Sequence, residues 1–142
     1  MCLTIDRLKH KLWKRNQSFY ECEIAKTPIR VYKILDLNTC GHLQTPYMRK
    51  RLFPKDLRDG LQVREKEFRE LSIDTIQYGI HAHMNYKRAE KAVVNMLGVY
   101  TPILIQMYIP KGTKIWYGTN EDIVAQKICF RASDKRRFKN MV

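Results

Sequence analysis

Residues 78 to 83, Tyr-Gly-Ile-His-Ala-His, place two imidazoles two positions apart behind a glycine. Imidazole titrates near neutrality, so such a pair can serve as acid and base or as two ligands of a metal ion. In a strand, residues two apart share a face. His81 and His83 would then project together while Ile80, Ala82 and Met84 face the core. The polar side of an ordinary strand has the same spacing, so the pair does chemistry only if the fold supplies partners. A metal needs at least a third ligand, and His10, His42 and the cysteines have no spacing that would provide one; no metal site is expected.

A second constellation is Cys40-Gly41-His42, a thiol and an imidazole two apart. Nucleophilic catalysis requires the base within hydrogen-bond reach of sulfur and a third group to orient it, which adjacency in a loop does not establish. Cys2 would be an N-terminal nucleophile were Met1 removed. The four cysteines stand singly, with no Cys-x-x-Cys pair, so free thiols are expected rather than a zinc ribbon or disulfide scaffold.

Charge is the extreme property: 27 Lys and Arg against 14 Asp and Glu leave +13. Residues 1–54 hold 11 basic against 4 acidic side chains, residues 55–98 hold 8 against 7, and residues 99–142 hold 8 against 3. Such a surplus attracts polyanions. Arg49, Lys50, Arg51 and Lys55 lie among Tyr47 and Phe53; Lys87 and Arg88 follow Tyr86; Lys135, Arg136, Arg137 and Lys139 surround Phe138. Cations grip phosphates and aromatic faces stack on unpaired bases, so the three clusters suit single-stranded nucleic acid. A solvated surface with no ligand is the bland alternative. The first expectation is a non-enzymatic basic module that binds RNA, single-stranded DNA or a nucleoprotein, with no cofactor. An enzyme centred on His81 and His83 is the second, and an inhibitor that docks on an acidic protein surface the third.

The elements that must position these residues can be read from periodicity. At 142 residues, with 44% apolar and 11% aromatic side chains, the chain suits a single domain with one core. Ile5, Leu8 and Leu12 have helical spacing, which predicts a short N-terminal helix over 5–14 within a helical segment 1–28. Residues 29–37 alternate as a strand after Pro28, and 38–48 are rich in loop formers. Residues 53–74 do not declare themselves. Residues 74–84 read as a strand or two with Gly79 as a bulge or close-approach point, then a helix capped by Asn85 and ended by Gly98. The apolar run 101–110 predicts a central buried strand, followed by strands at 114–118 and 122–130. Residues 131–142 read as a loose basic tail. The order implies an α+β domain with a mixed or antiparallel sheet and about two helices.

The stretches Val31–Leu35, Gly79–His83, Arg88–Val93, Ile105–Gly118 and Asp122–Phe130 together resemble a family of small proteins encoded by bacteriophages and by gut bacteria of the Bacteroides type. That resemblance, over about residues 29–130, implies a setting of phage accessory genes, including interference with a host or its defence machinery, but no particular mechanism. A looser similarity is to the ADP-ribosyltransferase fold, in which Arg30 or Tyr32, the His81/His83 strand and Glu121 would be the nearest occupants of the site, with NAD as cofactor. The chain departs from it in having no Ser-Thr-Ser strand and no Glu-x-Glu or Gln-x-Glu ending at Glu121. The N-terminus mixes charges where a signal peptide needs an apolar run, and nothing approaches the ~18 apolar residues of a span. A cytoplasmic location is expected, the host's if the chain is phage-encoded, with no membrane partner.

Overall fold

A computed structural model describes residues 3–6, 9, 12–13, 19–20, 22–46, 49–64, 75–76 and 79–142, with 12–13, 19–20 and 75–76 by backbone alone. In chain order the elements are β1 (Leu3–Thr4), β2 (Leu12–Trp13), β3 (Phe19–Tyr20), β4 (Glu23–Ile24), β5 (Ile29–Leu37), β6 (Leu43–Gln44) and α1 (Pro54–Asp59). They continue through β7 (Leu61–Gln62), β8 (Thr75–Ile76), β9 (Ile80–His83), α2 (Tyr86–Met96), β10 (Pro102–Ile109), β11 (Lys114–Tyr117), β12 (Asp122–Ala125), β13 (Lys127–Phe130) and α3 (Ala132–Arg137). The fold is α+β: a mostly antiparallel sheet with three α-helices among the described residues.

The sheet is centred on β5 and β10, whose β-branched and apolar residues pair without interruption from Pro102↔Asp36 to Ile109↔Ile29. Outward from them the order is β4-β11-β12-β9-β5-β10-β13-β7. Only Gln126 separates β12 from β13; the first pairs with β9 and the second with β10. The strand pairing therefore returns on itself through β9, β5, β10 and the run Asp122–Phe130, and the face turned inward is the core. Val31, Leu35, Ile105, Met107, Ile123, Ile128 and Phe130 line it, and Leu43, Leu52, Leu57 and Phe138 close it. Lys33 stands on this same apolar face, in line with Val31 and Leu35.

The opposite face is covered in two places. Leu3 and Ile5 pack on Trp116 and Val124, while α2 covers β5 and β10 with Ala89 and Met96 buried. As expected, α2 opens at Asn85, whose side chain accepts the Arg88 N–H at 3.2 Å. It closes before Gly98, which takes φ +92°, a conformation open to glycine at little cost.

Three expectations need correction, and one open stretch is resolved in part. The α-helix predicted over 5–14 is replaced at the residues described there: Ile5 bridges Gly118, Lys9 lies in a 3₁₀ turn with its N–H on the Asp6 carbonyl at 3.0 Å, and Leu12–Trp13 pair with Phe19–Tyr20. Hydrophobic spacing alone does not exclude a strand when the partner lies elsewhere in the chain. The run 122–130 is two strands rather than one. Within 53–64, α1 forms because Pro54 occupies its first turn and the Phe53 N–H donates to the Asp56 carboxylate at 2.8 Å. It ends at Gly60, φ +94°, where a Cβ would meet the Ile128 carbonyl at 2.8 Å. Most of the remaining undeclared stretch, 65–74, lies outside the described residues. Finally, 131–142 is not loose. Arg131 Nε donates to the Asp134 carboxylate at 3.0 Å, α3 follows, Lys139–Met141 add a 3₁₀ turn, and Phe138 is 0% exposed. Burying one phenylalanine contributes about 1.5–3 kcal/mol, enough to hold a short terminal helix against the sheet. No helix among the described residues is long and apolar enough to cross a membrane.

Candidate functional site

His81 and His83 do share a face, as the spacing requires, and Ala82 is buried on the other with Ile80 and Met84 packed beside it. Their surroundings differ. The cross-strand neighbour of His81 is Val124, a member of the apolar cluster under β1, and the His81 carbonyl accepts the Lys33 ammonium at 2.7 Å. His83 sits opposite Asp122 on β12 and opposite Tyr32 on β5, and Tyr32 in turn sits opposite Gln106 on β10. Directly opposed residues in an antiparallel sheet point to the same side. Asp122, His83, Tyr32 and Gln106 therefore form one polar row across four strands.

Within that row His83 Nδ1 lies 2.7 Å from Asp122 Oδ1, with side chains 18% and 29% exposed. A carboxylate only accepts, so neutral His83 carries its proton on Nδ1 and leaves the Nε2 lone pair free to act as a base. The row is tied to the start of α2 by two bonds to Glu121: its carbonyl accepts the Met84 N–H at 2.8 Å, and its carboxylate accepts the Asn85 side-chain N–H at 3.1 Å. Glu121 holds φ +58°, unusual for a residue with a Cβ, and stands in the expected turn. The Tyr86 ring, 50% exposed, packs edge-on to Tyr32 with centroids 5.3 Å apart. Asp122 also lines a pocket of about 90 Å³, together with Leu3, Thr4, Gly118, Thr119 and Asn120.

Lys33, half-buried on the core face, is a group the sequence reading left unassigned. Burial pulls its pKa down to about 8 because the ammonium has lost water.

The basic clusters divide. Arg49, in a left-handed conformation at φ +51°, places its guanidinium 5.9 Å from the Tyr100 ring, and Lys50 beside it is exposed. Arg51 lies over Phe53 at 5.2 Å and within 3.4 Å of His42 Nε2; Phe53 is 53% exposed. The latter contact engages the His42 ring away from Cys40, where Asn38 accepts the Cys40 and His42 N–H groups and shapes the turn. Lys55 and Arg58 are exposed on α1, and Arg58 pairs with Asp59 at 3.1 Å. That bond, reinforced by the charges of Arg58, Lys55 and Lys127, holds the Asp59 carboxyl below its ordinary range. Lys135 Nζ donates to the Arg58 carbonyl at 3.1 Å, which sets α3 against α1. Lys135, Arg136, Arg137 and Lys139 are all exposed. The structure thus joins Lys135 of α3 to Arg58 of α1, whereas Lys87 and Arg88 are exposed on α2, whose first residue, Tyr86, packs on Tyr32.

Of the expected stacking residues, Phe53 and Tyr86 are exposed, Tyr47 lies outside the described residues, and Phe138 is withdrawn: it is a core side chain with Arg137 over its ring at 4.7 Å. Arg30 is exposed on the same side of β5 as Tyr32. Sequence reasoning missed Asp122, Gln106, Asn85 as a tether, and Arg58. Each acts through a partner distant in the chain, which no local pattern announces. Among the described residues, no group of three His, Cys, Asp or Glu is placed to hold a metal ion. Comparison with protein-family models, with curated proteins and with solved structures finds no match to this chain.

Proposed function

We propose that this protein binds single-stranded nucleic acid, with the principal contact surface built by the loop before α1, α1 itself and α3. The observation that supports this reading is the Lys135–Arg58 bond, which links α3 to α1 across 77 residues and so sets cations of two distant sequence clusters side by side. Arg49, Lys50, Arg51, Lys55, Arg58, Arg136 and Lys139 are its exposed cations. Phe53, with the Arg51 guanidinium above it, supplies an aromatic surface on which an unpaired base can stack.

Binding of this kind works by neutralising phosphates and releasing their counterions, so affinity falls with salt at a slope of about −0.7 per phosphate for single strands. Contact with about five phosphates corresponds to a loss of ~100-fold between 50 and 200 mM salt. Fluorescence anisotropy of a labelled single-stranded oligonucleotide, titrated with the full chain across that range, tests it. A steep, linear log–log dependence supports the reading; no binding at 50 mM, or a curve flat in salt, removes it.

A further inference from the structure

A second chemistry is built into the other face of the sheet. Asp122 and His83 are a carboxylate and an imidazole at 2.7 Å, fixed by backbone register rather than by a flexible loop. Register matters because a base must be held still to transfer a proton efficiently. Glu121, next to Asp122, bonds the N-cap Asn85 and the Met84 N–H, so the dyad and the first turn of α2 move as one unit. That first turn presents Tyr86, Lys87 and Arg88, all exposed, and the Tyr86 ring packs against Tyr32, the neighbour of His83 in the row. The carboxylate of Glu121 accepts from Asn85, and that of Asp122 bonds His83.

A single positioned base with two exposed cations on the helix tethered to it lacks a nucleophile of its own. RNA carries one next to every phosphate, the 2′-hydroxyl, and DNA does not. We infer that the His83–Asp122 pair is a catalytic base that cleaves single-stranded RNA, an inference that rests on the nucleic-acid reading above and names its substrate class. His83 Nε2 takes the proton of a 2′-hydroxyl. The O2′–P bond forms as the P–O5′ bond breaks, and the departing 5′-oxygen takes a proton from water. The products are a 2′,3′-cyclic phosphate and a 5′-hydroxyl, and the imidazolium returns its proton to the hydroxide left behind. Asp122 acts as a positioning residue that holds the Nδ1–H tautomer and stabilises the imidazolium. Lys87 and Arg88 are placed to offset charge on the phosphate, and Tyr86 to stack on a neighbouring base.

The test uses the full chain, a fluorescent single-stranded oligoribonucleotide and its all-2′-deoxy counterpart, with binding followed by anisotropy and products by mass spectrometry. The expected result is binding of both strands, cleavage of the ribonucleotide alone, and fragments ending in 2′,3′-cyclic phosphate. His83→Ala is expected to bind as before and cut at least ~100-fold more slowly, the scale of a lost general base. His83→Gln replaces it should the alanine form not fold. Asp122→Asn is expected to lower kcat with KM unchanged and to alter the pH–rate profile, a change a purely structural carboxylate would not produce. RNA that is bound but left intact, or cut equally by the His83 variants, overturns the base assignment while leaving the binding proposal standing. Absence of binding to either strand overturns both.

Discussion

The basic face of α1 and α3 and the polar row of β12, β9, β5 and β10 differ in what holds them. On the first, cations ride on two six-residue helices, anchored by Leu57 and Phe138 from below and by one hydrogen bond from Lys135 across. On the second, each side chain is placed by a strand register that would have to slip to move it. A surface of the first kind tolerates exchange of any one charge, because its field is a sum. The second has no such tolerance, because a one-residue slip turns His83 to the other side of the sheet.

Anchoring can be broken from beneath. Phe138→Ala should cost about 3–5 kcal/mol, the range for emptying a buried aromatic site, and release α3 with its cations. Chemical denaturation with far-UV circular dichroism checks it, and a loss well below 1 kcal/mol would return 131–142 to a loose tail. Next in size is Lys33. It is protonated below pH 10.5 when unfolded but only below about 8 when folded, so the unfolded chain binds more protons between those values. Stability should therefore rise across pH 8 to 10.5, by no more than about 3 kcal/mol, through this residue. Lys33→Met should flatten that rise and raise the melting temperature at pH 7, as measured by thermal unfolding over a pH series; a variant less stable at pH 7 than the parent contradicts it.

The additive character of the basic face is sharpened by replacing Lys55, Arg136 and Lys139 with glutamine together. The slope of log affinity against log salt should shrink by about 2, while the thermal midpoint stays put. Were one of the three alone to abolish binding, the face would be a specific pocket and not a summed field. The smallest effect is expected at the junction of the two regions' logic, the start of α2. Asn85→Ala removes the cap on Arg88 and the tether to Glu121, at about 1 kcal/mol, seen as a small shift in the urea midpoint.

Which of these features the sequence announces follows from how far apart their causes lie. The alternation in β5, the apolar run of β10 and the cap of α2 are local, and each formed where its own residues indicated. The same holds for the shared face of His81 and His83. The His83–Asp122 bond spans 39 residues and the Lys135–Arg58 bond 77, so nothing near either residue foretells it. Across Arg131–Lys139, a single phenylalanine among five cations reads as solvated until the core offers it a place. The N-terminal residues erred in the reverse sense: their helical spacing is real, but pairing with Gly118 and the Tyr117 and Thr119 backbone wins at Thr4, Ile5 and Asp6.

The run Asp122–Phe130 belongs to both halves of the sheet, with Gln126 as the only residue between its two pairings. Neither half can then open while the other keeps all its neighbours, because the strand that would leave one is threaded into the other. Unfolding should be a single cooperative event for β9, β5 and β10, with their amides sharing one hydrogen-exchange free energy instead of a graded series. The acid–base row is in this way protected by the global stability of the molecule, and not by any local contact of its own.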